Sequence, residues 1–173
     1  MDMNAIITGL RDGIAVDETI KSWCLAAYSK VHTVWVGIDA RDLPPAEAFP
    51  IISIYPLARK SGNGQETIIH HVGISVGVFD ETKAVGPYVP PGGADPDDET
   101  APATITEYAG IQNVESLRKL AADAVVAVLE ETLHLSVSGL EVTCESIDTF
   151  PYFLADMAIS ADQYLSQGDD FFQ

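Results

Sequence analysis

Basic side chains are scarce in this chain: nine Lys and Arg stand against 26 Asp and Glu, leaving a formal charge of −17 and a pI near 4.2. None of the nine lies beyond Lys119, whereas Asp123, Glu130, Glu131, Glu141, Asp156 and Asp162 are among the many acids that do. A surface of that sign repels phosphate backbones and anionic lipid, so sequence-specific nucleic-acid binding is the first function class it argues against. Cysteine is equally sparse. Cys24 and Cys144 share no C-x-x-C spacing and fall in apolar patterns, which disfavours a disulfide framework or zinc ribbon and favours buried thiols. Long apolar runs are missing too: His, Asp, Gly or Pro interrupts each one within about ten residues, short of the ~20 that span a bilayer. The opening "MDMNAIITGLRDG" has an acid where a secretory leader has base, and a cytoplasmic origin is expected.

What is present suits one domain over residues 1–173, with 47% hydrophobic residues to bury. Met3 to Leu10 reads as a short helix within an N-terminal helical extension, 1–16. Asp17 reads as the N-cap of a second helix, with Ile20, Trp23, Cys24, Ala27 and Tyr28 as its buried stripe. "VHTVWVGID" is β-branched enough for a strand, and "RDLPPAEA" is a loop. Two extended runs, "FPIISIYPLARK" and "QETIIHHVGISVGVFD", flank the hairpin chemistry of "SGNG". Residues 84–103, rich in Pro, Gly and acid, are expected to hold no regular structure. Asn113 is expected to cap a helix from Val114 to Leu133. "LEVTCESID" and "FLADMAISA" alternate as half-buried strands, and residues 166–173 are expected to form a flexible tail.

The adjacent His70 and His71 raise the question of a metal. Strand periodicity answers it: His70 joins Ile68, Val72, Ile74, Val76 and Val78 on the apolar face, while His71 points the other way with Thr67, Gly73, Ser75 and Gly77. The pair cannot chelate one ion, and His32 and His134 stand in no ligand spacing. No G-x-S-x-G, Walker A or G-x-G-x-x-G occurs, and Cys24 lies on a helix stripe beside Trp23. No catalytic residue, cofactor or metal ligand is assigned. A small metal-dependent enzyme would need His32, His70, His71 or His134 to converge with carboxylates. A monomeric acidic adaptor or inhibitor mimicking nucleic acid would use the acids of the last third.

The fold class expected is α+β, a mostly antiparallel sheet with helices on one face and a long projecting β-hairpin. A second hairpin strand of about 15 residues would run ~50 Å, against roughly 40 Å for the whole domain. With the turn at "SGNG", Arg59 comes opposite Glu66. A cationic tip on an acidic body makes another copy of the chain the natural partner. Arg59, Lys60, Asn63, Gln65, Glu66 and His71 are therefore the candidate subunit contacts, with Phe171 and Phe172 of the tail as further candidates.

The order of "TVWVGID", "FPIISIYPLARK", "ETIIHHVGISVGVFD", "NVESLRKLAADAVVAVLEETL" and "FPYFLADMAISADQYL", closing on a P-x-x-x-A-D-M-x-I pattern, resembles the tail terminator (tail completion) proteins of long-tailed bacteriophages and prophages. The resemblance runs from about Asp17 to Leu165. It implies an α+β subunit of a hexameric ring on the end of the tail tube, which stops tube polymerisation and meets a head-completion protein. It also implies a place in the bacterial cytoplasm during assembly and in the virion tail afterwards. The family has no catalytic residues to carry over. The acidic segment 85–103 and the extra N-terminal helix depart from its pattern.

Overall fold

The computed structural model describes residues 1–37, 44–61, 66–89, 103–143 and 150–165. Its first two elements are helices α1 (Met3–Val16) and α2 (Glu18–Tyr28). Each begins at an aspartate. Asp2 accepts a hydrogen bond from the Ala5 amide at 2.7 Å, and Asp17, the predicted cap, accepts one from the Ile20 amide at 2.8 Å. Asp17 takes an extended conformation, which ends α1 and starts α2 in one residue.

Strand β1 (Thr33–Val36) pairs parallel to β2 (Ile51–Ser61), which pairs antiparallel to β3 (Thr67–Phe79). Strands β4 (Lys83–Pro87) and β5 (Thr104–Tyr108) follow, then helix α3 (Ala109–Ala127), continued by a wide π turn over Val128–Thr132. Strands β6 (Ser136–Thr143) and β7 (Tyr152–Tyr164) complete the described chain. The main sheet has the order β1-β2-β3-β7-β6 and is antiparallel except at β1–β2, while β4 and β5 form a separate two-stranded ribbon. The α+β architecture with a mostly antiparallel sheet is as expected.

Even-numbered residues of β3 and odd-numbered residues of β7 share one face, on which the helices lie. Ile6, Leu10 and Ile14 of α1, Ile20 and Cys24 of α2, and Leu117, Ala121 and Val125 of α3 are fully buried there. They share one core with Ile52, Ile54, Val72, Ile74, Val76, Phe153, Met157 and Ile159. Burying each large aliphatic or aromatic side chain contributes roughly 1.5–3 kcal/mol, so α1 is an integral part of the core. Gly110 opens α3 directly beneath Phe153: a Cβ at this position would stand 2.1 Å from the ring, which explains the glycine.

Four expectations are corrected. β2 and β3 pair antiparallel, but β7 runs beside β3 along all 13 of its residues. The outer half is therefore the end of a broad sheet, and not a two-stranded finger standing free. Helix α3 starts at Ala109, and Asn113 is inside it, its Nδ2 donating to Asp80 Oδ2 at 2.9 Å; the cap chemistry serves a tertiary contact instead. Residues 84–87, at the start of the segment expected to be structureless, belong to a strand, 83–87, that pairs with 104–108 just beyond that segment's end. Lastly, β6 is an edge strand whose apolar residues Leu140 and Val142 remain 47% and 40% exposed. They lie opposite Ile159 and Met157, on the helix face but at its border. The expected tail at 166–173 and Cys144 lie outside the described residues.

Candidate functional site

The sequence placed its candidates on the β2–β3 hairpin, and the structure separates them onto two faces. Ala58 and Lys60 pair with His71 and Ile69 on the face away from the helices, whereas Arg59 pairs with His70 on the helix face. A bulge at Leu57, between the Pro56 and Ala58 pairs, shifts this register and turns the Leu57 side chain out to 51% exposure. Arg59 does not face Glu66: the register at Ile51–Gly77 is already three residues off the expected one, and the bulge adds one more. The last pair before the turn joins Ser61 to Ile68, and the Glu66 carbonyl accepts from the Leu165 amide at 2.9 Å. Arg59, Lys60 and Glu66 are all exposed at this sheet end. Asn63, Gln65, Phe171 and Phe172 lie outside the described residues.

The four histidines diverge. His70 is fully buried, its Nε2 3.1 Å from Gln163 Oε1. Burial lowers its pKa below the ordinary value, the Gln163 bond opposes this, and the charge of Arg59 adds to it. His32 is buried behind α1, with Nε2 donating to the Ile14 carbonyl at 2.9 Å, and burial lowers its pKa as well. His134 is exposed in the turn after α3, at a positive φ of 54°. Among the described residues no group of three His, Cys, Asp or Glu converges as a metal site.

His71 is the partly exposed member. Its Nδ1 lies 2.8 Å from Ser160 Oγ, directly opposite on β7. A hydroxyl against an imidazole is the pairing a nucleophile needs, but here cross-strand register accounts for it: opposed side chains on one face meet at this range. The same face carries more such links. Ser75 Oγ hydrogen-bonds the Asp156 carboxylate and stands 3.5 Å from Tyr55 Oη, and Ser138 Oγ donates to Asp162 Oδ1 at 2.8 Å. Tyr55 lies flat over Gly73, where a Cβ would come within 2.2 Å of the ring. The result is a small-residue, polar face whose side-chain bonds link neighbouring strands. Only β-period counting marks Ser75, Asp156 and Ser160 as its members. The buried Cys24 thiol, pushed up to about 11 by burial, is unsuited to nucleophilic work.

The element that the sequence did not single out is the β4–β5 ribbon. Its base is fixed: Tyr108 packs its ring 5.2 Å from Phe150 and 6.3 Å from Phe153, and the Ala109 amide donates to the Thr82 carbonyl at 3.2 Å. Beyond that base every residue of β4 and β5 except Gly86 is exposed. Val85 and Val89 are 61% and 63% exposed, and Tyr88 and Ile105 are uncovered as well. "TITEY", with alternating β-branched residues, carries the strand signal for β5. Compared with protein-family models and with curated proteins, this chain matches none.

Proposed function

We propose that this protein is a structural assembly subunit of the tail-terminator kind, forming a closed, hexamer-like ring that ends a tail tube and presents a surface to the head. The observations that support this reading best are the ribbon, whose outer residues are exposed, and the edge strand β6, which has no further strand beside it among the described residues. A two-stranded ribbon in water is marginally stable alone, and an edge strand with exposed apolar side chains is a template for pairing. Both features suit a subunit that is completed by its neighbours. The histidines, by contrast, point to four separate surroundings, which gives the enzyme reading no focus.

Light scattering across the micromolar range, with negative-stain imaging, tests the proposal. A closed oligomer of fixed stoichiometry near six is expected, and a strict monomer at every concentration would overturn it. The charge balance has its own role in this reading: a lumen carrying DNA must not hold it, and an acidic wall lacking phosphate-neutralising side chains avoids salt-dependent capture. Negligible retention of duplex DNA at low salt is expected. Micromolar binding would remove the lumen role.

A further inference from the structure

Resting on the ring reading, we infer that the β4–β5 ribbon is an assembly arm that adds to the β6 edge of a second copy of this chain. The two surfaces match in length. A bulge between Val137 and Gly139 blunts the start of β6, but Gly139 to Thr143 pairs with β7 in unbroken register. That leaves a regular edge of five residues, the length of each arm strand. The two surfaces match in character as well. Val85 and Ile105 on the arm, and Leu140 and Val142 on the edge, are large apolar side chains left in water.

Charge selects the copy over other partners. On a chain of net charge −17, β5 puts Glu107 on one face of the arm, while β4 puts its only charged residue, Lys83, on the other, opposite in sign to the only charged residue of β6, Glu141. Lys83 and Glu141 are exposed. Depletion of charge around an apolar centre is the composition of an interface core, and with β4 laid along Gly139–Thr143 the end residue Lys83 reaches the central Glu141 diagonally. The arm and the edge are different surfaces, so the contact is heterologous, the type that closes into rings.

Lys83→Glu and Glu141→Lys, alone and combined, are compared with the wild type and with Arg59→Glu/Lys60→Glu by light scattering, with circular dichroism as the fold control. Each single change is expected to weaken self-association at least ~10-fold by setting like charges against each other, and the double change to restore most of it. The Arg59/Lys60 variant is expected to assemble as the wild type does. A wild type that assembles while both single variants match it overturns the arm and leaves the ring standing. A double variant no better than the singles, or loss of assembly only in the Arg59/Lys60 variant, overturns the arm too. A wild-type monomer fails the ring first. A photo-cross-linking residue at position 85 gives a second reading independent of folding defects: intermolecular links to residues 139–143 support the contact, and links to the β1 edge instead refute it.

Discussion

Replacing Phe153 with alanine is expected to cost about 3–5 kcal/mol, the range for emptying a buried aromatic site. The ring is 1% exposed and lies against Gly110, Tyr108 and Phe150, so it joins the start of α3, the foot of the arm and the first turn of β7. Tyr108 is paired with Lys83 and Gly110 is fixed in α3, so neither can move far enough to fill the void. The melting temperature should fall by roughly 6–20 °C for a chain of this size. Val85→Ala, on the exposed arm, is expected to change monomer stability by less than about 0.5 kcal/mol. Thermal unfolding of both variants checks the pair, and a loss below ~1 kcal/mol for Phe153→Ala would show that the clamp is slack.

Acidification should destabilise the fold well above the range where isolated carboxylates titrate, through His32 and His70. Both are buried, both bond through Nε2, and the Nδ1 of each has no hydrogen-bond partner among the described residues. Their folded pKa values are lowered, so both are neutral in either state above about pH 6.5. As the pH falls below that, the unfolded chain takes up the protons first, and stability is lost until the pH passes the folded values. The two losses have the same sign and add as the pH falls from 7 through the unfolded histidine value. Urea unfolding at a series of pH values should show this slope in the wild type and a flatter one in His32→Gln/His70→Gln. Identical slopes would mean that the imidazoles are not responsible.

Much of the layout was legible where one periodicity dominates. Asp17 as a cap, the buried stripe of α2, the two faces of β3 and the inward residues of β7 all follow from local pattern, because each element buries one face against one neighbour. The failures have a common cause, which is long-range pairing. That β7 would flank β3 along its whole length depends on a strand some eighty residues away, and no local signal carries it. The Arg59–Glu66 register is four residues off: three of those steps are already present where Ile51 pairs with Gly77, and the bulge at Leu57 adds the fourth. Residues 84–103 were read as one loop although β4 overlaps its start, and "TITEY", just beyond its end, was given no element although it held the strand pattern, so the arm was missed. Leu140 and Val142 alternate like half-buried residues; that β6 is the last strand, beyond the helices' cover, is a fact of topology.

The pairing of β3 with β7 has a consequence for biosynthesis. The strand that becomes the middle of the sheet leaves the ribosome long before its inner partner exists, with Ile68, Val72, Ile74, Val76 and Val78 on one side and an open rim of amides and carbonyls. Translation at ~5–20 residues per second leaves that rim open for several seconds. Crowded nascent chains of this protein are therefore most vulnerable to premature sticking in the interval before Tyr152 emerges, and holdase chaperones would be of greatest use there.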